Sequence, residues 1–252
     1  QQITSIINRR QEMFTHVRVK TLVLGFIALA LSAATALAGI IITENRPVAS
    51  FSAIDIRGGF TVYLNQGETE SLKLEGDKDA LANIVTEVGS GRLVVKRKKG
   101  IRLFSWHKDD ITVHLTFKEL KKIDLSGSNK LAGQKPLVFK DLGIDISGSG
   151  EVLLDLEAAK LELSISGSGD ITLKGKATSF ESSISGSGDI HCFDLKANKV
   201  SISISGSGDA ELNTIQELDI SISGSGDVKY RGSPATVNQS VSGSGDIRKI
   251  GD

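Results

Sequence analysis

Cysteine, proline and aromatic residues are all scarce in this chain of 252 residues, and each shortage narrows the choice of structure. Cys192 is the only cysteine, so no disulfide can form within the chain. Only 3 prolines stand beside 27 glycines, a balance that fits a β-rich repeat better than a helical protein. Aromatic residues make up only 5% of the chain, which argues against rows of sugar-stacking subsites.

Charge and metal-ligand patterns exclude further classes of function. The 30 basic residues balance 30 acidic ones, so no nucleic-acid partner is expected. His107, His114 and His191 lack the close spacing of a metal site, and alternation places His114 and His191 on the polar side of strands. The same alternation turns Cys192 inward, as a small buried hydrophobe.

A short phrase repeats seven times in the second half of the chain. It begins as Ser126-Gly127-Ser128-Asn129 and returns as SGSG at Ser147, Ser166, Ser185, Ser205, Ser223 and Ser242. The spacings are 21, 19, 19, 20, 18 and 19 residues, which is typical of one solenoid turn per repeat. Each turn exposes its apolar stripe until a neighbour stacks on it, so the pattern predicts stacked coils.

Within a repeat the side chains alternate between two faces. From Ile165 to Leu173, period 2 puts the isoleucines, Leu173 and the glycines Gly167 and Gly169 on the inner face. A turn of 19 residues is odd, so one corner must shift this parity, and residues 174–180 (KGKATSF) are the predicted corner. The expected fold is all-β: a right-handed parallel β-helix, or β-solenoid, with repeats of about 19 residues.

The stretch before the regular repeats is less periodic. Residues 51–125 read as irregular strands broken by Gly58-Gly59, and Leu81, Ile84, Val85 and Val88 have helical spacing within Asp77–Val88. This N-terminal half is therefore expected to hold one short helix of two or three turns. The domain prediction is a short linker over 39–50 and a single β-solenoid domain over 51–252, with regular SGSG repeats over 126–250.

The pattern of the domain resembles a known family, the putative auto-transporter adhesin head, GIN domain family. The serial SGSG units are its most specific part. The other residues that carry the resemblance are Phe51, Ile54, Ile56, Gly59, Leu64, Leu81, Ile84, Thr86, Val88, Gly91 and Leu93. The resemblance covers about residues 51–250, implies an exported β-helical domain of poorly defined role, and supplies no catalytic residues to transfer.

The first 38 residues read as upstream residues followed by a secretory signal peptide that starts at Met13. Arg18 and Lys20 precede an apolar run, and Ala36-Leu37-Ala38 forms an Ala-x-Ala cleavage site before Gly39. The alternative is an uncleaved membrane anchor, because the apolar region over 21–42 is just long enough to span a bilayer. Both interpretations predict an exported protein, in the periplasm, on the outer cell surface or outside the cell.

An acid follows each SGSG phrase and forms the first candidate site. These residues are Glu151, Asp170, Asp189, Asp209, Asp227 and Asp246. Stacking of coils at about 4.8 Å would align them in a column, here called the acidic column. Each carboxylate then either accepts backbone amides in the glycine-rich bend, or contributes to a weak Ca²⁺ stripe.

A basic and aromatic cluster forms the second candidate site, a contact for an anionic glycan or lipid head group. Its residues are Lys96, Arg97, Lys98, Lys99, Arg102 and Trp106. The alternative is a solvated hairpin end between two strands.

The uniformity of the repeat favours a non-enzymatic exported module for adhesion, binding or scaffolding, because chemistry usually interrupts a repeat at one place. No resident cofactor is expected. The candidate partners are a cell-surface glycan and an envelope protein, and contact with a membrane is expected only through an uncleaved signal segment. The alternative function is a carbohydrate-active β-helix enzyme, either a lyase or a hydrolase, that uses stacked carboxylates one or two coils apart.

Overall fold

The repeats stack as the coils of a parallel β-solenoid of about 7 turns. The computed structural model describes residues 40–98 and 110–251, and Ile41–Asp252 belong to one compact unit. The described strands are β1 Ile41–Arg46, β2 Ala53–Gly58, β3 Phe60–Gln66, β4 Ser71–Asp77, β5 Ile84–Gly89, β6 Arg92–Arg97, β7 Ile111–Phe117, β8 Lys122–Gly127, β9 Lys130–Gly133, β10 Leu137–Gly148, β11 Glu151–Gly167, β12 Asp170–Gly186, β13 Ile190–Gly206, β14 Ala210–Gly224, β15 Val228–Arg231, β16 Thr236–Gly243 and β17 Ile247–Lys249. A short helix, α1, spans Lys78–Leu81.

The first glycine of each SGSG phrase lies in one column along the solenoid. The column runs through Gly58, Gly127, Gly148, Gly167, Gly186, Gly206, Gly224 and Gly243. Gly58 lies within Arg57-Gly58-Gly59-Phe60, which sequence reasoning treated only as a break between strands. The structure places this segment at the same corner as the SGSG phrases, so β2 and β3 form a coil of the same solenoid.

The predicted parity shift within each coil is confirmed. In β12, Ile171, Leu173 and Ala177 are buried at odd positions, whereas Phe180 and Ile184 are buried at even positions. The backbone ladder between β11 and β12 omits Thr178, the residue between these two series. One extra residue at this second corner restores the register, so a repeat of 19 residues can keep an apolar interior.

The N-terminal coils are not stacked in chain order. Strand β2 pairs in parallel with β6 on one side and with β8 on the other, and β3 likewise lies between β7 and β9. Beyond this, β5 is antiparallel to β6, β4 is antiparallel to β7, and β1 is antiparallel to β4. The solenoid therefore begins with antiparallel strands that close its N-terminal end.

The one short helix expected in this region is present but shorter than predicted, and the stretch expected to be a linker contains a strand. The predicted helix over Asp77–Val88 is reduced to the single turn α1, whose start is capped by the Asp77 carboxylate accepting from the amides of Asp79 (2.9 Å) and Ala80 (3.2 Å). The residues that follow form β5, because β-branched side chains favour strands and β6 offers a hairpin partner. The expected linker over 39–50 contains β1, which pairs with β4 over six residues.

Candidate functional site

The SGSG corner brings the backbones of successive coils into direct contact. At Gly186 φ is +133°, and a Cβ added there would lie 2.3 Å from the carbonyl oxygen of Gly167 in the preceding coil. The next amide, of Ser187, donates to that same oxygen at 2.9 Å. Gly188 is buried, and its added Cβ would meet both Gly169 O at 2.4 Å and Ile165 Cγ2 at 2.7 Å.

These contacts refine the expected inner face. Gly188 and its equivalents point into the interior, as expected, but Gly186 is half-exposed and borders the preceding coil. At Gly186 a side chain is excluded by the backbone of the preceding coil and by the positive φ angle. At Gly188 it is excluded by the backbone of the preceding coil and by the Ile165 side chain in the interior.

Asn129 replaces the second glycine in the first phrase of the series. It is fully buried, and its Nδ2 donates to the carbonyls of Ser126 (2.9 Å) and Ile56 (3.3 Å). Its Oδ1 accepts from the amide of Phe60 at 3.1 Å. Three backbone groups at the join between two coils are therefore satisfied by one side chain.

The acidic column has a specific internal structure in its C-terminal part. The Oδ1 atoms of Asp189, Asp209 and Asp227 each accept a hydrogen bond from the backbone amide of the acid one coil further on, at 2.8, 2.8 and 2.9 Å. Asp246 ends the series by accepting from the Ile247 amide (2.9 Å) and from Arg248 Nε (2.5 Å). The hydrogen bond from Arg248 holds the pKa of Asp246 below its usual range.

The first two members of the column are bonded differently. Glu151 pairs with Lys130, at 2.8 Å between Oε2 and Nζ, and the amide of Asp170 donates to the carbonyl of Gly150 at 2.8 Å. Within residues 40–98 and 110–251, no group of three or more His, Cys, Asp and Glu side chains has an arrangement suited to a metal ion. The column can therefore act as a hydrogen-bonding device between coils, and a cation stripe along it remains a hypothesis to be tested.

The basic cluster divides between described and undescribed residues. Lys96 pairs with Glu87, the Arg97 guanidinium lies 5.4 Å from the centre of the Phe60 ring, and Lys98 Nζ donates to the Ala82 carbonyl at 2.8 Å. Lys99, Arg102 and Trp106 lie outside the described residues.

A groove at the second corner was missed by sequence reasoning. It crosses successive coils, has a volume of about 550 Å³, and has Phe139, Ala158 and Ala177 on its floor. Ala158 pairs in register with Ala177, and Ala177 with Ala197. This recurrence of alanine at one repeat position was the available signal, and we call the feature the alanine groove.

The rim of the alanine groove has charged side chains along one side and apolar side chains at its two ends. Glu157, Lys176 and Lys196 lie on one side, and Glu157 Oε1 is 3.7 Å from Lys176 Nζ. The two ends carry Val138 and Ile215, whose side chains are large and exposed. An open groove of this composition can hold an extended ligand across the coils rather than enclose a small molecule.

The remaining candidate reactive groups have structural surroundings. The ring of His114 stacks on Tyr63 with centroids 5.5 Å apart, and His191 Nδ1 lies 3.1 Å from Glu211 Oε2. Cys192 is buried as predicted, and burial raises the pKa of its thiol. A thiol that stays protonated is a poor nucleophile, so Cys192 acts as a packing residue.

The comparisons with known proteins agree with this geometry. The model of a family described as "Putative auto-transporter adhesin, head GIN domain" matches residues 50–234. The chain belongs to this family. The crystal structure of a putative adhesin from Bacteroides fragilis is similar to this GIN-domain chain with a TM-score of 0.78 and 28% identity, covering 84% of this chain and 98% of the other.

Two further solved structures show the same fold at lower identity. They are putative adhesins from Parabacteroides distasonis (24% identity, TM-score 0.67) and Parabacteroides merdae (24%, TM-score 0.66), each over 84% of this chain and over 98% and 97% of its own. Among curated proteins, none matches the chain. Within residues 40–98 and 110–251, no helix has the length and apolar character needed to cross a membrane.

Proposed function

We propose that this GIN-domain protein is an exported, non-enzymatic module that binds an acidic polysaccharide along the alanine groove. The observation that carries the proposal is that the groove runs across several coils and is lined by residues at equivalent positions of successive repeats. A linear polymer presents the same chemistry at regular intervals, and a solenoid offers the same groups again at each coil, about 4.8 Å apart.

The lysines of the groove determine the sign of the proposed ligand. Lys176 and Lys196 occupy paired register positions in β12 and β13, and both line the groove. Glu157 partly offsets Lys176, which leaves the net charge of these three side chains positive. Uronate or sulfate groups would pair with the amines, while sugar faces would lie on the alanine floor.

The carboxylates favour binding over catalysis. Glycoside hydrolysis by the common mechanism needs two carboxyl groups at the scissile bond, and Glu157 is the one carboxylate on the described lining of the groove. In the acidic column, Asp189, Asp209 and Asp227 already accept backbone amides of the next coil. Both features support a scaffold role for the acids.

Export is supported by the segment before the domain and by the family. Ala36-Leu37-Ala38 lies outside the described residues and keeps its interpretation as a cleavage site. The mature protein is expected to begin at Gly39. Sequencing the N-terminus of protein recovered from cell fractions tests this, and recovery of an intact Met13 segment in the inner membrane would indicate the anchor instead.

Retention and turnover should be measured together on a panel of neutral, uronate-containing and sulfated polysaccharides. We expect affinity electrophoresis to show retardation by acidic polymers only, weakened at least tenfold in the Lys176→Ala/Lys196→Ala variant, with no shortened products. The control is Lys174→Ala/Lys229→Ala, which removes two exposed lysines outside the groove lining. Equal weakening in both variants would refute the groove, and product release abolished by one acidic-column substitution would establish the enzyme.

A further inference from the structure

The C-terminal coil leaves apolar positions uncovered that every inner coil buries. In β16, Val237, Gln239 and Val241 are in register with Leu218, Ile220 and Ile222 of β14. The β14 side chains are at most 3% exposed, whereas Val237 is 38% and Val241 45% exposed. Within residues 40–98 and 110–251, β14 is the one strand with a backbone ladder to β16, so no described strand covers the opposite backbone edge of β16.

This edge lacks the charges that protect exposed strands elsewhere in the molecule. The positions of Glu217 and Asp219 in β14 become Thr236 and Asn238 in β16, and no residue of Thr236–Gly243 is charged or proline. By contrast, the edge strands at the N-terminal end carry charged residues, among them Glu44 in β1 and Glu87 in β5. Charged or interrupted edges are the usual protection against strand pairing, and β16 has neither.

The sequence of β16 is symmetric in side-chain class about Gln239. Moving outward from Gln239, the pairs are Asn238 with Ser240, Val237 with Val241, and Thr236 with Ser242. In antiparallel strands, residues directly opposite each other lie on the same face of the sheet. Pairing of two β16 strands about Gln239 would therefore place valine opposite valine inside and small polar residues opposite each other outside.

We propose that the protein forms a two-fold symmetric dimer through its C-terminal coil, with β16 of each copy paired antiparallel about Gln239. Val237 then lies opposite Val241 of the partner subunit, and Gln239 lies opposite its own copy. Two glutamine amides can each donate and accept there, so the pairing accommodates a polar residue in a column that holds Ile220 one coil earlier. An uncharged edge suits this symmetry, because a charge at the axis would face its own copy.

Cysteine cross-linking tests the register directly. Buried Cys192 leaves an introduced cysteine as the accessible thiol in the described part of the chain. In the full chain under mild copper-phenanthroline oxidation, Gln239→Cys should give disulfide-linked dimers, because opposite residues have Cα atoms about 4.5 to 5.5 Å apart. Val237→Cys alone should give at least tenfold less disulfide-linked dimer, because Val237 does not lie opposite its own copy. A mixture of Val237→Cys and Val241→Cys proteins should form the disulfide-linked dimer.

Light scattering of the full chain supplies the second readout. The parent and Val241→Ile should have twice the chain mass of 26.7 kDa, and Val241→Lys should have the single mass with an unchanged circular dichroism spectrum. A monomeric parent overturns the proposal. A dimer that survives Val241→Lys, or Val237→Cys cross-linking as fast as Gln239→Cys, overturns it as well, since association would then involve another surface or the N-terminal segment.

Discussion

Individual residues at the corners contact or hydrogen-bond to the coil next to their own. Gly186 and Gly188 allow the backbones of two coils to touch, Asn129 satisfies three backbone groups of an adjoining corner, and the Asp209 carboxylate accepts the amide of Asp227. Contacts between coils therefore account for the recurrence of the same residues at each corner. Each coil offers its neighbour a close backbone contact or a hydrogen-bonding partner.

The first prediction concerns the exclusion of side chains from the glycine column. Gly186→Val should lower the free energy of unfolding by more than about 3 kcal/mol, because it adds a β-branched Cβ beside the Gly167 carbonyl at an unfavourable φ. Ser187→Ala, at an exposed neighbouring position, should change it by less than about 0.5 kcal/mol. Chemical denaturation of both variants tests this, and an equal loss in the two would contradict the assigned geometry.

The second prediction separates the two roles considered for the acidic column. Asp209→Asn keeps the oxygen that accepts the Asp227 amide and should be tolerated, whereas Asp209→Ala loses it and should melt about 2 to 4 °C lower. A calcium stripe predicts instead that millimolar Ca²⁺ raises the melting temperature of the parent and that both substitutions abolish the rise. Melting all three proteins with Ca²⁺ and with chelator distinguishes the roles, and a large calcium shift confined to the parent would defeat the hydrogen-bonding account.

At the scale of elements, the hairpin β5–β6 determines the structure of a segment whose local pattern is ambiguous. Ile84, Val85 and Val88 have a spacing that fits a helix, but they are β-branched and precede a tight turn at Ser90-Gly91. Both turn residues have positive φ, 50° at Ser90 and 72° at Gly91. A two-residue hairpin loop with two positive φ angles is the type I′ geometry, and pairing with β6 follows from it.

The third prediction tests this turn. Ser90→Asn should raise the free energy of unfolding by about 0.5 kcal/mol, because asparagine tolerates the left-handed region better than serine. Gly91→Ala should lower it, since alanine gains no compensating contact at a φ of 72°. Thermal melts of the two variants beside the parent check the opposite signs, and stabilisation by Gly91→Ala would rule out the turn.

At the scale of the whole molecule, stability comes from contacts between nearest-neighbour coils. Among the strands that the structure describes, β11 to β13 have a parallel neighbour on both sides, whereas β16 pairs with β14 alone and β17 with β15 alone. Solenoids of this kind lose structure from their ends, because an end coil has half the interfaces of an inner one.

The fourth prediction follows from this arrangement. In the Val241→Lys variant, chosen to remove association through β16, amide hydrogen exchange should be slowest in β11 to β13 and fastest in β16 and β17. The antiparallel strands at the N-terminal end should protect β6 and β7 better than the C-terminal coil is protected. Uniform exchange along the solenoid would contradict a nearest-neighbour account.

Local sequence patterns determined most of the regular half of this protein. The spacing of the SGSG phrases predicted the stacked coils, and the alternation of side chains predicted that Cys192 lies on the inner face. The odd repeat length predicted a corner near Thr178. The structure confirms all three. They could be read from the chain because each feature depends on residues within one repeat. The alignment of Asp189, Asp209, Asp227 and Asp246 was also predictable, since identical repeats bring identical positions together.

Contacts between distant residues decided the rest. The strand β5 in place of a helix, β1 in place of a linker, and the position of β2 between β6 and β8 all depend on pairings that the chain order does not reveal. The amide partners of the acidic column and the alanine groove likewise require the exact register of one coil on the next. Periodicity specifies which face a side chain occupies, but only the stacked coils specify which atoms it meets.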